Sequence, residues 1–144
     1  GLSDSLIERL QSRAKQEPEW VAASCLQWLE RSDITAKQRA DLLICLGTAQ
    51  QENGAWDDAL SSTQRAYHLF DSLGLMTGKM AALNNLGSIQ LSLNNLNQAA
   101  TYFNQVLREK QAGKSLQAFA MANLATVFEQ QGNFQKAIQT HQQS

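Results

Sequence analysis

Apolar residues along the 144-residue chain recur three and four positions apart, and nowhere do they alternate with a period of two. The pattern is clearest from Ala82 to Ala99, ALNNLGSIQLSLNNLNQA, which reads as a helix, a tight asparagine-rich turn and the start of a second helix. The same skeleton stands upstream at Leu42 to Ala59 and downstream at Ala120 to Ala137. The small residues Gly47, Gly87 and Ala125 are 40 and 38 positions apart. Trp56, Leu96 and Phe134 keep the same spacings after the turn, and so do Ala59, Ala99 and Ala137. Three anchors in one register predict a solenoid of stacked helix pairs, because a single pair cannot bury both of its faces alone.

Taken in order, Ser3 or Asp4 caps a first helix that Pro18 stops near Gln16. A second helix, about 18–31, carries Val21, Cys25, Trp28 and Leu29 on one stripe. Trp20 and Trp28 on that helix read as core. Asp33 or Thr35 caps a third helix over about 35–53, closed by Gly54. The remaining helices are expected over about 56–73, 78–93, 96–111 and 114–131, with an eighth from Phe134 after a stop at Gly132. Gly74 and Gly78 bracket the connection between the fourth and fifth. Residues 1–34 form an N-terminal helical pair, a degenerate repeat or a cap. Residues 35–144 hold three repeats, about 35–76, 77–113 and 114–144, the last incomplete. The fold class is all-α, a right-handed α-α superhelix of antiparallel helix pairs with about eight helices. The interrupted eighth helix leaves an apolar face needing a cover, so the chain is expected to be part of a longer protein or to self-associate through its open C-terminal end.

The order of small residue, turn glycine, aromatic and alanine in Leu46-Gly47, Gly54, Trp56 and Ala59 resembles the tetratricopeptide repeat. The resemblance runs from about Ala40 to the C-terminus. Asn94 stands in place of the turn glycine in the middle repeat, and the proline that ends the family's second helix is missing from every repeat. A unit of 38 to 40 residues resembles the extended variant seen in kinesin light chain, LGN-type G-protein modulators and bacterial Rap-type regulators. The resemblance implies that the first helix of each pair lines a concave groove that binds a peptide or a helical segment. The groove-facing positions it implies are Asp41, Ile44, Cys45 and Thr48; Ala81, Asn84, Asn85 and Ser88; and Phe119, Ala122, Asn123 and Thr126, of which Ile44, Thr48, Asn84, Asn85, Ser88, Phe119, Asn123 and Thr126 are the candidates for peptide contact. Asn85 and Asn123 occupy matching places, and an amide there can both donate to and accept from a peptide backbone without reading a sequence. The basic clamp that grips chaperone tails is missing, since its places hold Ile44, Thr48, Phe119 and Asn123. The expected groove is neutral, with apolar spots at Ile44, Leu91 and Phe119.

Composition narrows the partners. A net charge of −1 and a pI near 6.1 give no field that attracts nucleic acid or an anionic membrane. The longest apolar run is too short to cross a bilayer, and no signal peptide is visible. Cys25 and Cys45 match no metal or redox motif and read as buried thiols, which favours a cytoplasmic setting. Ser72 to Met80 only glances at a phosphate-binding loop, because the first glycine and the terminal Ser or Thr are absent. His68 and His141 lack a second ligand at helical spacing, and Asp57 and Asp58 suit a helix N-terminus. No catalytic residues, metal or cofactor are therefore expected. The function read from the chain is non-catalytic binding of a protein segment, as a scaffold or regulatory module. The alternative is a ligand-sensing regulatory domain of a bacterial signalling or transcription-regulating protein.

Overall fold

A computed structural model describes residues 1–143, with side chains given for all of these except 136, 137 and 139–143. Among the described residues there are seven α-helices and no strand. Ser3 caps α1 (Asp4–Arg13) by accepting a hydrogen bond from the Leu6 amide, and Pro18 occupies the first position of α2 (Pro18–Leu29). Thr35 and Gln38 form a reciprocal capping box at the start of α3 (Ala36–Glu52), so Thr35 is the cap. Asp33 instead pairs with Arg31 at 2.7 Å. Beyond these come α4 (Trp56–Leu73), α5 (Met76–Ser92) and α6 (Leu96–Arg108). Gly54 and Asn94 take left-handed φ values of +76° and +62° in equivalent turns, which is why asparagine serves where glycine stands one repeat earlier.

Two sequence expectations are corrected here. The connection before α5 is only Gly74 and Leu75, and Gly78 lies inside the helix instead of bracketing its start. A methyl group at Gly78 would land on the Phe70 ring, so this glycine serves close packing. The seventh and eighth helices are one continuous element, α7 (Lys114–Gln143), which runs straight through Gly132. Phe134 is accordingly 62% exposed and plugs no inter-repeat space. Ala137, the third alanine of the repeat register, is among the residues whose side chains lie outside those described.

The helices pack as consecutive antiparallel pairs. α3 lies on α4 and α5 on α6, while α1, α3, α5 and α7 also touch one another in succession. The core follows the stacking in three clusters. Leu10, Val21, Cys25, Leu42 and Leu46 join α1, α2 and α3. Ala40, Leu43, Ala66 and Phe70 join α3 to α4. Leu83, Leu86, Ala99, Phe103, Val106 and Leu124 join α5, α6 and α7.

Each pair closes over a missing side chain. A Cβ on Gly87 would come within 2.7 Å of the Phe103 ring, and one on Gly47 would collide with the Thr63 hydroxyl. Thr63 donates that hydroxyl to its own helix at the Ala59 carbonyl, 2.7 Å away, so it is satisfied inside an apolar contact. Fully buried Phe103 contributes roughly 2–3 kcal/mol of apolar transfer energy, available only while Gly87 admits its ring. Trp20, expected in the core, is 45% exposed and sits 5.8 Å from the Arg13 guanidinium; Trp28 is half-buried.

Substituting Gly87→Ala should therefore lower stability by about 1–3 kcal/mol in urea unfolding, through overpacking against Phe103. Gly54→Ala should lose less, since only its left-handed backbone opposes a side chain and no atom lies within 4 Å.

Candidate functional site

Two of the three helices expected to carry the groove, α3 and α5, line a connected set of clefts together with α1, whereas α7 lines none of them. Ile44 and Thr48 on α3 and Asn85 on α5 come together with Gln11, Ala14 and Cys45 around one shallow cleft of about 150 Å³. A neighbouring cleft of about 430 Å³ continues along Lys37, Asp41 and Ile44 to Phe70, Met76, Gly78 and Ala81. A third, of about 240 Å³, adds Asp4, Ile7 and Glu8 from α1. Gln11 lines all three, so the clefts are segments of one trough between α1, α3 and the N-terminal half of α5.

Chemistry varies along this trough. Its middle is apolar, with Ile44, Phe70, Leu75, Met76 and Ala81. Its α1 end carries Asp4, Glu8 and Asp41 against the single cation Lys37. Lys37 is tied to Asp41 at 3.0 Å, and that hydrogen bond and charge, with Asp4 adding, hold its ammonium above the usual lysine range. The other end is set by amides and hydroxyls. Thr48 donates to the Ile44 carbonyl at 3.1 Å, which leaves its oxygen lone pairs facing Asn85. Asn85 approaches that oxygen at 3.5 Å, the outer limit for a hydrogen bond, so its amide is barely committed.

The sequence-derived positions do not all meet there. Asn84 is only 2% exposed and lies outside the groove. Its amide donates 3.0 Å to the Leu116 carbonyl in the first turn of α7, while its Oδ1 is buried without a partner. One residue's difference in helical phase separates it from Asn85, and burial between α5 and α7 makes Asn84 a structural tie. Ser88 faces the α3 side, where its hydroxyl accepts from the Gln51 amide at 2.9 Å. Phe119, Asn123 and Thr126 lie on α7 and line none of these three clefts. Phe119 is 41% exposed; Asn123 and Thr126 spend their donors on carbonyls of their own helix, at 3.2 and 3.3 Å. Leu91 packs against the core shared by α5, α6 and α7.

Gln11 and Met76 were missed by sequence reasoning, whereas Asp41, Cys45 and Ala81 were expected on the first-helix stripes and do line the trough. Gln11 belongs to the N-terminal pair, where the repeat signature fades, and Met76 reads as loop until Gly78 is known to be helical.

Cys45 borders the trough from beneath, and with Cys25 it is buried in one apolar cluster. A hydrogen bond to Cys45, reinforced by burial, pushes the Cys25 thiol far above its ordinary value. Among the described residues no group of three His, Cys, Asp or Glu side chains is placed to hold a metal ion. Among the described residues no helix is long and apolar enough to cross a membrane.

Stacked antiparallel helix pairs with small residues at their crossings, and a trough along the first helices, define the class: a helical-repeat solenoid. The tetratricopeptide repeat model matches residues 46–114 and again 84–143. The chain belongs to the tetratricopeptide repeat family, whose repeats generally mediate protein–protein interactions. No curated protein matches the chain.

The paired thiols supply a direct check. In native protein at pH 8, Cys25 and Cys45 should resist Ellman's reagent for hours and react fully once urea unfolds the chain, because burial keeps the reagent from both sulfurs and the Cys25 thiol stays protonated. Fast native reaction would show that the α2–α3 core opens.

Proposed function

We propose that this chain is a non-catalytic binding module that holds a segment of another protein in the trough lined by α1, α3 and α5. The observation that carries the reading is the meeting of Ile44, Thr48 and Asn85 at one concave cleft. An apolar spot, a hydroxyl and an uncommitted amide suit an extended or helical segment, whose side chain fills the spot while its backbone engages the amide. The acidic surroundings of Lys37 favour a segment with a basic residue towards α1. Phe119, Asn123 and Thr126 would continue the site along α7 for a longer ligand, whereas Asn84 and Ser88 serve the scaffold. Such a module acts as a scaffold or regulatory part of an assembly, with no cofactor and no chemistry of its own.

A phage-displayed library of random 12-residue peptides tests this with a defined probe. Enriched peptides should lose at least about tenfold in affinity by calorimetry with Asn85→Ala or Ile44→Asp, which corresponds to about 1.4 kcal/mol or more. Neither substitution should alter the circular dichroism spectrum, since both side chains are partly exposed. Failure to enrich any peptide, or affinities unmoved by both changes, would remove the trough as the site.

A further inference from the structure

α7 buries one side and leaves the opposite side bare. Ala120, Leu124 and Val127 face the core shared with α5 and α6. On the far side Ala118, Met121, Ala122, Ala125 and Phe128 are all exposed, Met121 at 62% and Phe128 at 56%. At about 100° per residue these five fall within a stripe roughly 120° wide. Gly132 continues the stripe, and a methyl group there would meet nothing within 4 Å. The helix is continuous from Lys114 to Gln143, so no described part of the chain turns back over this side.

The stripe has the period and the contents of a two-stranded seam. Ala118, Ala125 and Gly132 stand seven positions apart, and Met121 and Phe128 keep the same interval beside them. Set against a second copy of itself running the other way, the stripe is self-complementary in one register. With Ala118 opposite Ala125, Met121 lies opposite Ala122 and Phe128 opposite Ser115, so each large side chain meets a small one. The same register sets Lys114 opposite Glu129; both are exposed, and neither belongs to an ion pair found among the described residues. A parallel pairing would instead put Phe128 on Phe128, Lys114 on Lys114 and Glu129 on Glu129. Charge and size within the stripe therefore select its occupant, the same helix of another copy in the antiparallel sense.

We propose that the bare side of α7 is a homodimer interface, in which two copies pack antiparallel about a twofold axis beside Met121 and Ala122. Dimerisation in this way is independent of what the trough binds, because α7 lines none of its clefts and both troughs stay open in the pair. One helix face is smaller than the roughly 800 Å² per partner of a standard interface, so the dissociation constant is expected to be on the order of 10 µM.

Sedimentation velocity of the full chain over a concentration series reads this directly. A monomer–dimer equilibrium is expected, with the dimer predominant at about 100 µM. Met121→Asp, at an exposed position, should weaken association at least about tenfold and leave the circular dichroism spectrum unchanged. Lys114→Glu or Glu129→Lys alone should weaken it at least about threefold, since each creates two like-charge contacts in the symmetric pair. Lys114→Glu together with Glu129→Lys should bring it back to within about twofold of the original. Unspecific apolar association would respond to Met121→Asp but would show no such rescue. A monomer at about 100 µM, association untouched by Met121→Asp, or a double exchange that restores nothing would each overturn the proposal.

Discussion

Everything in this molecule depends on how closely the two helices of a pair can approach. Gly47 sits under Thr63 and Gly87 under Phe103, with no room for a methyl group at either contact. That approach sets the spacing of α3 from α4 and α5 from α6. The trough follows from it. First helices that converge on their partners must present their remaining faces side by side, and those faces are where Gln11, Ile44, Thr48 and Asn85 meet. The groove is a by-product of core packing, and its chemistry is carried by residues that the core does not need.

Polar side chains are divided between the two tasks by helical phase. Asn84 and Asn85 are neighbours in sequence, yet one is sealed between α5 and α7 and the other opens on the trough. Burying Asn84 is favourable only because its amide finds the Leu116 carbonyl; the unpartnered Oδ1 opposes it. The gain is a fixed start for α7. Gln51 and Ser88 do a similar job between α3 and α5, where the amide donates to the hydroxyl and ties two successive first helices together.

Much of the architecture was legible in the sequence. The register of Gly47 and Gly87 with Trp56 and Leu96 yields two helix pairs, their turns and the family, because repetition makes each weak local signal count more than once, whereas at Ala125 and Phe134 the same register yields no second helix. The site was legible in part. Periodicity places Ile44, Thr48 and Asn85 on one side of their helices correctly, but a stripe 100° wide cannot separate Asn84 from Asn85. Boundaries near glycine were the weakest point. Gly78 and Gly132 both read as helix ends, and both are helical, since glycine permits a turn without requiring one; neighbouring contacts decide. At Gly78 the Phe70 ring is that contact. At Gly132 the helix passes through a position that is left-handed in the two preceding repeats.

The central claim is that the concave side of the stacked pairs is the working surface. Its most direct test is hydrogen exchange measured with and without a peptide selected for binding. Protection should concentrate on α1, α3 and the N-terminal half of α5, around Gln11, Ile44 and Asn85. Protection confined to the outer helices α2, α4 and α6 would contradict the account.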